Sequence, residues 1–281
     1  MTAEKLETYI KQLQKTYEVY CIGFSHAGQP IYVVKVQGRC SKAVVVQAAI
    51  HAREHITTSL WVSLLLSLHI KPYATLWVVL QSNPDGASLT KTLPLYKANI
   101  KGVDLNNNFN AHWGKRGGYQ HVPCTQGYIG TCAESEPETQ ALVRFTKKVQ
   151  PVLTLSYHAK GEEIYFDFFN GMYYNRDKHI ARMFAASLQY RIVPTQNVSS
   201  GGYKDWCVQT LHIPSLTIEV GSDQWQHPLS EGFLPQIKRR HKHIFLCLKQ
   251  AVQFLEGNTH DKRRKMDEAR TCRSKKSAKK R

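Results

Sequence analysis

The chain has 281 residues, 42% hydrophobic, 10% aromatic and 21% charged, a composition that supports a sizeable core and excludes a disordered polypeptide. Its longest apolar stretch, residues 60–70, is interrupted by Ser63, Ser67 and His69 and is too short to span a membrane. The net charge is +17, of which +8 belongs to residues 261–281, where eleven Lys/Arg stand against three Asp/Glu. Segment 259–281 lacks apolar periodicity and reads as a basic, disordered tail. It serves either solubility or contact with a polyanion such as nucleic acid or a cell-wall polymer. Residues 1–258 contain no repeat and no linker and read as one domain.

In chain order, Leu6, Ile10, Leu13 and Tyr17 recur at helical spacing and predict an N-terminal amphipathic helix. Charges at Glu4, Lys5, Glu7, Lys11 and Lys15 leave no secretory apolar region there. The expectation is a cytoplasmic protein, with wall or spore association as the alternative. Residues 19–24 and 31–36 flank His-Ala-Gly-Gln-Pro and predict a hairpin. Residues 43–49 read as a buried strand, 57–68 as an apolar helix, and 75–80 as the next strand, stopped by a turn at Asn83-Pro84-Asp85-Gly86. Ser135 and Glu138 have capping-box spacing and predict a helix through Val149. Buried strands at 152–157 and 216–220 are separated by helical patterns at 177–189 and 203–210. Strands alternating with helices predict an α/β fold around a parallel or mixed sheet. The seven Cys are scattered, without C-x-x-C, and read as reduced thiols, although Cys124 and Cys132 bracket a loop that would let them pair.

Ligands gather at the carboxyl ends of strands in such sheets, and chemistry-bearing residues stand there. His51 and Glu54 follow the first buried strand, Asn83 the second, His158 ends the third, and Glu219 lies near the end of the fourth. A His2Glu set with an open fourth position is a standard catalytic zinc arrangement. Glu219 inside an apolar strand is costly unless it lines a cleft, where a carboxylate of raised pKa acts as a base on a metal-activated water.

The segments HARE (51–54), NPDG (83–86), GVDLNNNF (102–109), SYH (156–158) and TIEVG (217–221), in this order, resemble the zinc metallocarboxypeptidase family over nearly all of residues 1–258. The resemblance implies an α/β/α sandwich with a mixed, about eight-stranded sheet. It implies one zinc on His51, Glu54 and His158, with Glu219 as general base. Arg53 resembles the family's substrate-contacting arginine, and Asn106 the asparagine that helps to hold a substrate carboxylate. Family exopeptidases usually read DLNRN, with an arginine clamping the terminal carboxylate; here that position is Asn107. KGEEIYF (160–166) and SGGYKDW (200–206) resemble bacterial members that cut γ-D-glutamyl-diaminopimelate bonds in peptidoglycan stem peptides. There Tyr203 and Lys204 fall in the substrate-binding region, with Lys204 set to meet an anionic group. Lys101 or Lys97 stands in for a second arginine, and Glu162 and Glu163 face either a substrate amine or solvent. The expected function is a zinc peptidase of the γ-D-glutamyl-diaminopimelate type. The alternatives are a carboxypeptidase releasing a C-terminal residue, or a polyanion-binding protein acting through the tail.

Overall fold

The computed structural model describes residues 3–115, 119–168, 173–193 and 201–257. The basic tail, Ser200 and Cys272 lie outside them. The elements run α1 (Ala3–Leu13), β1 (Glu18–Phe24), β2 (Pro30–Val36), β3 (Ala43–Ala48), α2 (Ile56–Leu66), β4 (Thr75–Val79), α3 (Pro84–Leu89) and α4 (Pro137–Val149). They continue with β5 (Leu153–His158), β6 (Glu163–Tyr165), α5 (Tyr174–Leu188), β7 (Arg191–Val193), α6 (Tyr203–Thr210), β8 (Ser215–Glu219) and α7 (Leu234–Arg240). Residues 244–257 are helical as well.

The strands form one eight-stranded sheet in the order β1-β2-β4-β3-β5-β8-β6-β7. Its centre, β4-β3-β5-β8, is parallel, and β1, β2 and β6 supply the antiparallel pairs. This is the mixed α/β/α sandwich expected. Period-2 alternation sorts each strand between the two layers. Val44, Val46, Leu153, Leu155, Tyr157, Leu216 and Ile218 join the core cluster under α1, α2, α5 and α7. Helix α2 is buried on nearly all sides, including Ile56, Leu60, Trp61, Leu64 and Leu65, each such side chain contributing roughly 1.5–3 kcal/mol. On the opposite face Val33, Val45 and Val79 meet α4 and α6 through Leu142, Phe145 and Trp206. Along β5 and β8 that second face is polar. Thr154 donates to Ser215 Oγ at 2.6 Å, and Ser156 to Gln47 Oε1 at 2.6 Å.

The structure corrects several local expectations. Tyr17 lies beyond α1 and donates its hydroxyl to Leu65 O at 2.8 Å. Asn83 does more than stop a strand: its Oδ1 caps α3 through Gly86 N at 3.0 Å, and its Nδ2 donates to Ile50 O and Ala98 O. The Ser135–Glu138 capping box does not form; Glu136 is the N-cap of α4, and the Ser135 hydroxyl is spent on Glu136 Oε1 at 2.6 Å. Cys124 and Cys132 are free thiols, as are the other four described cysteines. Among the described residues no helix is long and apolar enough to cross a membrane.

Candidate active site

The carboxyl ends of β3, β5 and β8 adjoin, because β5 pairs in parallel with both neighbours and His158 stands directly opposite Glu219. Between β3 and α2 the chain turns tightly. Glu54 N donates to His51 O at 3.1 Å, and Thr57 Oγ1 bridges Glu54 O and Ala49 N. This turn aims both side chains of the H-x-x-E segment at the end of β5. His51 Nδ1 lies 2.8 Å from Glu54 Oε1, while His158 Nδ1 lies 3.1 Å from Glu54 Oε2 and 3.1 Å from His51 Nδ1. All three residues are buried, and their ligand atoms lie within 4.8 Å of one another.

The remote nitrogens decide what such a cluster holds. Ser82 donates to Ala48 O, Gln47 Nε2 to Ser82 Oγ, and Ser156 Oγ to Gln47 Oε1. The Ser156 oxygen is therefore free to accept, and it lies 3.0 Å from His158 Nε2. That contact puts the proton on Nε2 and leaves a lone pair on Nδ1. His51 Nε2 faces the Asp104 carboxylate, 3.2 Å from Oδ1, at ion-pair distance. Two imidazole lone pairs and a carboxylate converging in a buried space repel one another unless a cation joins them. Two nitrogens and one oxygen match the donors of a catalytic zinc site, with outer partners that orient the ligands.

Charges around the cluster are arranged to suit a cation. Burial alone would raise the Glu54 carboxyl, but His51 and His158 hold it well below the usual carboxylate range. Burial likewise opposes the Asp104 carboxylate, and Lys97 with His51 outweighs it and holds that pKa far down. Lys97 Nζ lies 3.1 Å from Asp104 Oδ2. Burial pulls the Lys97 ammonium down, yet Asp104 and Glu54 leave its pKa raised. Burial, reinforced by Glu54 and Glu163 and opposed by His158 and Lys97, pushes the Glu219 carboxyl up to about 8.

Glu219 borders a recess of about 150 Å³ that Asn106, Asn107, Tyr165, Lys204 and Thr217 also line. The register explains the grouping. Tyr165 stands opposite Thr217, and Glu163 opposite Glu219, so all four share one face. Lys204 is buried; its Nζ donates to Asp167 O at 2.6 Å and pairs with Asp205. Asn106 Oδ1 accepts from Tyr203 N at 3.1 Å.

Arg53 follows His51 closely in the turn and donates to Leu95 O at 3.3 Å. Of the two lysines expected near GVDLN, Lys97 reaches the cluster, whereas Lys101 is exposed on the preceding turn. Tyr203, expected in the substrate-binding region, does not line the recess. Its ring is fully buried against Phe109 and Trp206, and its hydroxyl is bonded to Thr146 Oγ1 at 2.8 Å, because the first position of α6 faces the core. Glu163 is held by Arg191 and the Tyr165 hydroxyl, and Glu162 pairs with Arg240 at 3.6 Å. Neither is a free carboxylate. Asp104, Ser156 and Gln47 were not singled out by sequence reasoning, although Asp104 and Ser156 sit inside the quoted segments.

Fold and site together define a metal-dependent hydrolase of the α/β/α class. A profile of the zinc carboxypeptidase family matches residues 4–242, and the chain belongs to that family. It is 29% identical over 263 residues to a γ-D-glutamyl-L-diamino acid endopeptidase of Lysinibacillus sphaericus, covering 79% of this chain and 66% of that enzyme, just short of two thirds. It is also 29% identical, over 295 aligned positions, to a zinc carboxypeptidase of Simulium vittatum, covering 91% of this chain and 96% of the relative. Among solved structures, bovine thrombin-activatable fibrinolysis inhibitor superposes with a TM-score of 0.80 at 21% identity, over 92% of this chain and 98% of the other. That likeness concerns the fold.

Proposed function

We propose that the chain hydrolyses the γ-D-glutamyl-diaminopimelate amide of peptidoglycan stem peptides. The composition of the recess beside Glu219 carries this reading: two asparagines, a lysine–aspartate pair, and no guanidinium among its lining. A site that selects a free C-terminal carboxylate uses a bidentate arginine, and Asn107 offers none. Lys204 and Asp205, paired with each other, give the recess a balanced polar wall that suits the zwitterionic end of a diaminopimelate side chain better than an aromatic ring. Across the site, Arg53 and Lys97 supply cations for the α-carboxylate that a γ-linked glutamate leaves free. The Lysinibacillus relative, named for cleavage at γ-D-glutamyl-L-diamino acid bonds, supports the same reading.

Zinc on His51, Glu54 and His158 would supply Lewis-acid chemistry, lowering the pKa of water and polarising a carbonyl. Glu219 takes the proton of the attacking water on its carboxylate and delivers it to the nitrogen of the departing amine.

Mass spectrometry of products from L-Ala-γ-D-Glu-diaminopimelate and from α-linked peptides ending in an aromatic residue tests the reading. Release of diaminopimelate from the first, with little hydrolysis of the second, is expected. A preference for the α-linked peptides would instead support a carboxypeptidase, the reading favoured by the end-to-end match with the Simulium enzyme.

A further inference from the structure

A second concavity, of about 650 Å³, lies on the sheet face that α4 covers, and it shares no residue with the metal cluster. Its floor is a cross-strand row. Tyr20 on β1 stands opposite Val33 on β2, and Trp77 on β4 neighbours both. Trp77 is the one residue of β4 that is not buried, an unusual state for an indole in the interior of a sheet. Phe145 meets it edge-on at 5.6 Å, and Tyr20 lies 5.9 Å away on the other side. Lys148 and Val149 stand just before β5 begins, whereas His158 ends it. The floor strands β1, β2 and β4 lie to one side of β3, and β5 and β8, which carry His158 and Glu219, to the other, so the groove is set apart from the active site across the sheet.

Cations supply the polar part of the wall. Arg144 and Lys148 line the groove from α4, and no lining residue is acidic. Arg144 makes a 3.5 Å contact with Gln140 Oε1, and neither cation forms an ion pair among the described residues. The nearest carboxylate on the floor strand, Glu18, is already neutralised by Lys35 at 3.0 Å and accepts from the Tyr20 hydroxyl. Lys35 itself stacks over Trp77, its Nζ 5.6 Å from the ring centroid. An aromatic floor with two cations at its rim has the size and composition of a small-molecule site, with a charge that favours an anion.

We propose that this groove is a binding site for an amphiphilic organic anion: a flat aromatic or short aliphatic body on Tyr20, Val33 and Trp77, with an acidic head group between Arg144 and Lys148. Cys21, exposed at the edge of the same groove, is a built-in reporter of occupancy.

The test uses 8-anilinonaphthalene-1-sulfonate as the anion and neutral N-phenyl-1-naphthylamine as its control. Alkylation of Cys21 and Cys132 by iodoacetamide is followed by peptide mapping. The anion should bind saturably and at least tenfold more tightly than the neutral probe, and slow Cys21 alkylation while leaving exposed Cys132 unchanged. Combining Arg144→Gln with Lys148→Gln should remove that preference while zinc content and thermal unfolding stay as in the parent. Equal affinity for both probes, an unprotected Cys21 at saturation, or full binding by the double variant would overturn the proposal. So would protection of Cys21 by self-association without probe, which would make the groove an interface between copies.

Discussion

His158 Nε2 lies 3.0 Å from the Oγ of Ser156, two residues earlier on the same strand. Period-2 alternation puts both side chains on one face, and the relay through Gln47 and Ser82 to Ala48 O forces Ser156 to accept from the ring. The metal-facing lone pair of His158 is thus set by a carbonyl several bonds away. Removing such an outer partner typically weakens a metal site by about 10–100-fold. Ser156→Ala should therefore raise the zinc dissociation constant by about that factor, measured against a competing chelator. His158→Ala should abolish binding in the same assay. Unchanged affinity in Ser156→Ala would mean that the tautomer is set elsewhere.

Glu219 shares the end of the sheet with the cluster but is absent from the set of converging ligand atoms. Glu219→Gln keeps the shape and removes the base. Turnover should fall by at least about 10²-fold, while zinc content by mass spectrometry stays near that of the parent. Loss of metal in this variant would instead make Glu219 a ligand.

Asp104 faces two ways, towards His51 Nε2 at 3.2 Å and Lys97 Nζ at 3.1 Å. Its folded-state pKa is depressed, so its contribution to stability is present above the unfolded carboxylate pKa and is lost as the pH falls through the folded value. Asp104→Asn removes that contribution and leaves Lys97 as a partly buried cation without its partner. It should cost about 3 kcal/mol at neutral pH, read by urea denaturation, and flatten the acid limb of the stability profile. A parallel pair of profiles, displaced by a constant amount down to strong acid, would show that the pair is not what titrates.

Much of this architecture was legible because strand runs such as residues 44–48 and 153–157 are buried on both faces, and because α6 has the bounds that its pattern predicts. Strands β6 and β7 are three residues each, too short for periodicity to register. Sequence could not separate Tyr203 from Lys204, since neighbouring residues of a helix point to different sides: Lys204 lines the recess while Tyr203 fills the core. Lys97 and Lys101 are indistinguishable in sequence, and only the fold of the 93–104 segment sends the first to Asp104 and the second to solvent. The Ser156 relay escaped notice since its members, Gln47, Ser82 and Ser156, come from separate segments that only strand pairing brings together.

Asn107 offers the most direct handle on substrate choice. Its side chain lines the recess beside Glu219, while its backbone packs against Gly201, where an added Cβ would lie 2.6 Å from Asn107 O. A replacement side chain at this position is therefore placed at the wall of the recess. Asn107→Arg would bring a planar fork to a pocket whose cation, Lys204, is already tied to Asp205 and Asp167 O. A charge-assisted pair with a terminal carboxylate contributes about 1.5–3 kcal/mol, which corresponds to roughly 10–150-fold in kcat/KM. The ratio of α-linked C-terminal release to γ-D-glutamyl cleavage should rise by that factor, measured with matched peptides and equal zinc loading. If peptides amidated at the C-terminus gain as much as the free acids, the arginine is not clamping a carboxylate, and Asn107 is not the position that separates the two specificities.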